Sequence, residues 1–149
     1  MWWLTRRWLM RNLDAPRVAR AVAAAESATS GEIVVSISPF FIGSIDAAAR
    51  RAFERLHVAR TEERNGVLLF LVPSRRRFVV LGDVGVDARV GQPFWDGVAA
   101  LLAGELRAGD VTAAIVHGVE KIGAALAEHF PPRGPRKNVL GDEPDVRRS

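Results

Sequence analysis

Asp83 closes a β-rich run behind Gly82 and is followed closely by Gly85 and Asp87, in the stretch Gly82-Asp83-Val84-Gly85-Val86-Asp87. A carboxylate on a glycine-flanked turn can leave its oxygens free for a ligand, and Gly85 allows close backbone approach. The same Asp can instead hydrogen-bond its own turn. Glu32, where a helix hands over to a strand, is a second acid at a strand end. Glu32, Asp83 and Asp87 together form a candidate ligand-binding set, with Glu32 and Asp83 as the candidate metal donors. Hard oxygen donors of this kind suit calcium or magnesium better than zinc. The spacing Asp83-x-x-x-Asp87 matches no calcium loop, and a tight calcium site takes about six to eight oxygens. Any cation is therefore expected to bind weakly or not at all, and if it binds, to do so in a groove between the end of the third strand and the start of the first.

Other chemistry finds little support. The chain has no cysteine, which excludes thiol nucleophiles, disulfides and thiolate metal sites. His57 lies at a helix end, His117 inside the last helix without an acidic or histidine partner at metal spacing, and His129 in that helix's final turn, where it suits the dipole. There is no GxSxG elbow, phosphate-binding P-loop or HExxH helix, and Gly82, Gly85 and Gly91 do not form a dinucleotide fingerprint. No catalytic residue is assigned on these grounds.

With 149 residues, 48% hydrophobic and 26% charged, the chain has the composition of one globular domain. The sequence pI near 10.8 points to an anionic partner. The basicity is concentrated at the ends, however: residues 1–20 carry a net +4, residues 133–149 a net +2, and residues 21–132 a net −2. A nucleic-acid binder normally presents a basic face on its folded body, so nucleic acid is a minor alternative. No run reaches the ~20 apolar residues that cross a bilayer, and the first residues lack the apolar stretch and cleavage site of a secretory signal. The expected location is cytoplasmic, with peripheral attachment to an inner membrane as an option.

The elements that must position these residues follow from local signals. Asp14-Ala15-Pro16 starts a helix to about Ala28 that buries Val18, Val22 and Ala25. Glu32 opens a β-branched strand to Ser38, and Ser44 caps a helix with Ile45, Ala48, Ala49, Ala52, Phe53 and Leu56 on its buried face. An Asn65-Gly66 turn launches the apolar strand Val67–Val72, and a basic turn leads into Phe78–Leu81. A helix from about Pro93 to Arg107 follows, and Asp110 caps a last helix ending near His129-Phe130. Crossing from strand to strand through a helix predicts parallel pairing of strands one and two, and the short turn predicts antiparallel pairing of strands two and three. The expected fold is an α/β three-layer α/β/α sandwich around a small mixed sheet, with Trp95 and Phe130 buried. Residues 133–149, including the acids Asp142, Glu143 and Asp145, read as a loose tail.

At the other end, residues 1–13 form a basic, Trp-rich segment. At helical spacing Trp2, Trp3, Leu9, Met10 and Leu13 share one side, with Arg6 intruding and Arg7 and Arg11 opposite. Tryptophan with arginine suits an anionic membrane interface, reached through Trp2, Trp3, Arg6 and Arg7. The alternative is packing on the chain's own domain or on a second copy.

The segments AAAESATSGEIVVSI, AFERLHVARTEERNGVLLFLV, RRFVVLGDVGVDARVGQPFWDGV and LAEHFP resemble the TPM-domain family in order, closest to its small soluble bacterial branch. The likeness covers roughly residues 14–132. Its most specific pieces are Ser30-Gly31-Glu32, Arg64-Asn65-Gly66-Val67-Leu68, Gly82-Asp83-Val84-Gly85-Val86, Trp95 and His129-Phe130-Pro131. The resemblance implies an α/β/α sandwich, calcium binding in some members, a phosphatase activity proposed for a plant member, and an envelope partner of the LemA type or another TPM protein. One departure is in the tail. Where the soluble branch carries a paired-Asp motif, this chain reads Arg136-Lys137-Asn138-Val139-Leu140, which weakens any cation site built there. The functional expectation is a non-catalytic binding or accessory domain of the bacterial envelope with at most weak divalent-cation binding. The alternatives are a cation-assisted phosphatase and a nucleic-acid binder using the basic ends.

Overall fold

A computed structural model describes residues 2–39, 42–133 and 141–146, with side chains described from residue 7 onward. Phe40 and Phe41, the side chains of Trp2, Trp3 and Arg6, and the Arg136–Leu140 motif lie outside the described residues. The helices are α1 (Trp2–Asn12), α2 (Ala15–Glu26), α3 (Ile45–Arg55), α4 (Val84–Asp87), α5 (Gln92–Arg107) and α6 (Val111–His129). The strands are β1 (Glu32–Ile37), β2 (Gly66–Val72), β3 (Arg77–Gly82) and β4 (Asp145–Val146).

Side-chain caps set the longer helices. The carboxylate of Asp14 accepts from the Arg17 amide, the Ser44 hydroxyl from Ala47, and the Asp110 carboxylate from Ala113. Each satisfies an amide that the first helical turn cannot pair internally. The sheet runs β3-β2-β1-β4. β1 pairs parallel with β2, Ile33 opposite Val67, and β2 pairs antiparallel with β3, Leu69 opposite Val80. Both pairings are as the connections predict.

β1 and β2 are buried throughout, because helices cover both faces. Val34, Leu68, Phe70, Val72 and Val79 pack against Ile45, Ala48, Ala49 and Ala52 of α3. The opposite face, with Ile33, Val35, Ile37, Val67, Leu69 and Leu71, packs against α2, α5 and α6. Alternate residues of one strand thus feed two cores, and the architecture is a three-layer α/β/α sandwich. Trp95 is 0% and Phe130 7% exposed, as expected.

Four features differ from the sequence reading. The tail is not wholly loose: Asp145 and Val146 pair parallel with Ser36 and Ile37 as β4. Asp145 also accepts from the Ser36 hydroxyl at 2.9 Å and meets Arg55 at 2.9 Å. The turn before β2 pivots on Arg64, whose φ is +51°, rather than on Gly66. Gly66 is already in the strand, and a Cβ there would lie 2.4 Å from the Val58 carbonyl oxygen. Met10 is 59% exposed, so the buried side of α1 carries Leu9 without it. Finally, His117 has an acidic partner across the helix pair, with Nδ1 2.5 Å from Glu105 of α5.

Candidate functional site

The amino ends of β1 and β2 and the carboxyl end of β3 meet at one end of the sheet. Glu32 lies opposite Gly66 in register, and the Asp83 amide donates to the Gly66 carbonyl at 2.9 Å. The fold therefore brings Glu32 and Asp83 to the same sheet end, on either side of Gly66. Ligands in open α/β sheets favour the carboxyl ends of parallel strands, and here the parallel pair presents its amino ends.

Asp83 is 4% exposed and its oxygens are engaged. Oδ2 accepts from Arg64 Nε at 2.6 Å, while Oδ1 accepts from Arg64 Nη2 at 3.0 Å and from the Val84 amide at 2.8 Å. This is a bidentate guanidinium–carboxylate pair that also caps α4. The hydrogen bond from Asp83, then its charge, raises the Arg64 pKa above its ordinary value, against a smaller opposing effect of burial. The left-handed turn at Arg64 brings its carbonyl to the Gly85 amide at 2.9 Å. Gly85 does allow a close backbone approach, but the approaching backbone is the chain's own. A Cβ at Gly85 would lie 2.2 Å from the Glu63 carbonyl oxygen.

The remaining acids are dispersed. Asp87 is exposed at the end of α4, its amide bonded to the Asp83 carbonyl. Glu32 is 2% exposed. Around them lies a network that sequence reasoning missed. Glu63 accepts from the Ser30 hydroxyl at 2.5 Å and from Asn65 Nδ2 at 3.0 Å, and meets Arg133 at 2.8 Å. Glu26, also 2% exposed, accepts from the Ile33 amide at 2.8 Å. Thr29 donates its hydroxyl, and Ser30 its amide, to the Phe130 carbonyl. The Ser30-Gly31-Glu32 and His129-Phe130-Pro131 motifs thus meet as a seam between β1 and the end of α6. The quoted motifs were the only local signal for it, since their contacts span about a hundred residues.

This donor set does not fit a calcium ion. A cation at Asp83 would have to displace a bidentate arginine, and about six to eight oxygens are needed. Among the described residues no three His, Cys, Asp or Glu side chains come together as a metal-binding group.

A second candidate surface lies on α1. Leu9 is 0% exposed and joins the main core, while Trp8 is 38% and Met10 59% exposed. Arg7 and Arg11 are exposed beside them. The helix is held where it meets α2, because buried Thr112 of α6 donates to the Asn12 carbonyl at 2.8 Å and accepts from the Asp14 amide at 3.0 Å. No helix among the described residues is long and apolar enough to cross a membrane.

Comparison with known proteins agrees with the fold. No curated protein matches the chain. Among solved structures, the NMR structure of BA42 protein from the psychrophilic bacterium Bizionia argentinensis superposes with a TM-score of 0.80 at 29% identity, covering 90% of this chain and 94% of that one. The family model described as the TPM domain matches residues 9–125, beginning on α1 at Leu9. The motifs gathered at this end of the sheet, the sandwich and this match together place the chain in the TPM-domain family.

Proposed function

We propose that this TPM domain is a non-catalytic docking module that attaches to an anionic membrane surface through α1. The observation that carries the reading is the exposure of Trp8 and Met10 on the two flanks of a helix face that carries exposed Arg7 and Arg11, on a helix anchored by fully buried Leu9. Apolar and aromatic groups bordering an arginine face suit an interfacial helix, and each basic residue near an anionic leaflet adds about 1 kcal/mol. The envelope partner implied by the family resemblance, a LemA-type or second TPM protein, would be met at that surface.

Co-sedimentation with phosphatidylglycerol vesicles at low salt tests the proposal. The parent chain should pellet, and Arg7→Glu/Arg11→Glu should stay in the supernatant while keeping its melting temperature. A parent that does not pellet, or a double variant that pellets equally well, would remove the membrane from the reading. Trp8→Ser/Met10→Ser separates this mode from nucleic-acid binding, which would survive loss of the apolar pair.

No observation favours the cation-assisted phosphatase reading: no three His, Cys, Asp or Glu side chains come together among the described residues. Asp83, its best acid, is committed to Arg64.

A further inference from the structure

A groove of about 690 Å³ runs between α5 and α6, and neither Asp83 nor any residue of α1 lines it. Its walls include Phe94, Val98 and Leu101 of α5, and both Phe94 and Leu101 are 46% exposed. Its volume falls in the range of small-molecule sites, and its lining is mostly apolar with a few polar groups. Arg89 and Lys121 also line it, and among the described residues neither has a carboxylate within ion-pair distance. Glu128 is the one acid of the lining.

Two contacts hold the groove in shape. The Phe94 ring packs edge-on against buried Trp95 with centroids 5.1 Å apart, and the Arg89 guanidinium lies 5.4 Å from the Phe130 ring centre. The floor is open for a particular reason. Gly97 sits inside α5, and a Cβ there would meet nothing within 4 Å. Glycine in a helix interior costs about 1 kcal/mol relative to alanine, and no packing among the described residues requires it here. Its effect is to keep the space between the helices empty.

We propose that this groove binds a single-chain anionic amphiphile, a long-chain carboxylate. The chain lies over Gly97 between Phe94 and Leu101, and the carboxylate faces Arg89 and Lys121. Apolar burial supplies affinity, and the two cations select the headgroup.

Calorimetry with sodium dodecanoate below its micelle concentration tests this, with dodecyltrimethylammonium as the charge-reversed control. The parent should bind one dodecanoate per chain and the cationic amphiphile about tenfold more weakly or not at all. Gly97→Leu fills the floor, is favoured by helix propensity, and should abolish the dodecanoate heat while leaving vesicle sedimentation unchanged. Arg89→Gln/Lys121→Gln should weaken dodecanoate about tenfold and erase the preference over the cation. Binding unaffected by Gly97→Leu, many molecules per chain, or equal affinity for both amphiphiles would overturn the proposal. So would a parent dimer that becomes monomeric in Gly97→Leu without any dodecanoate heat, which would give the groove to a second copy.

Discussion

Asp83 shows how far a single residue can be read. Its place after Gly82 marked it as a special acid, and a hydrogen bond to its own turn was among the readings; the Val84 cap bears that out. Its partner was not legible, because Arg64 lies 19 positions earlier and reaches it only through the β2–β3 pairing. Asp83→Ala should lower the melting temperature by several degrees, since the lost cap alone is worth about 1 kcal/mol. Arg64→Ala should cost at least as much, because it leaves the buried Asp83 carboxylate without its guanidinium, and the double variant should fall short of the sum because the two residues act as one unit. Thermal unfolding of the four chains checks this, and strict additivity would separate them. Calcium calorimetry on the parent should show no heat, and a heat lost in Asp83→Asn would restore a cation site. At Gly85 the expected outcome is stronger destabilisation. Gly85→Ala drives a methyl into the Glu63 carbonyl and should cost about 2 kcal/mol in urea unfolding. An unchanged midpoint would mean that the 63–64 backbone yields freely.

Among elements, those with local signals were readable. Asp14, Ser44 and Asp110 each cap the helix they were expected to start, and apolar runs bounded by turns became β1, β2 and β3. α4 has four residues and β4 two, too short for any periodicity to register. β4 exists because of contacts from distant chain: Ser36 and Arg55 both hold Asp145. It also covers part of the outer edge of β1, where unpaired strand groups would otherwise invite association. Asp145→Ala should therefore change stability by under about 1 kcal/mol, as expected for a half-exposed pair. It should still speed amide exchange near Ser36 and Ile37. Unchanged exchange there would show that β4 is held by its backbone alone.

At the scale of the whole molecule, the charge distribution separates body from ends, with residues 1–20 at net +4 and residues 21–132 at net −2. Membrane attachment by the basic end should therefore weaken with salt, because exposed charges are screened over about 8 Å at physiological ionic strength. Three of the four tryptophans, Trp2, Trp3 and Trp8, lie in α1, and the fourth, Trp95, is fully buried. Tryptophan emission is thus a built-in report on α1, and it tests the docking claim most directly. On phosphatidylglycerol vesicles with brominated acyl chains, at low salt, emission should shift to the blue and be quenched. Neither change should occur with phosphatidylcholine vesicles or with Arg7→Glu/Arg11→Glu. Emission that stays unshifted and unquenched on the anionic vesicles at low salt would contradict membrane docking by α1.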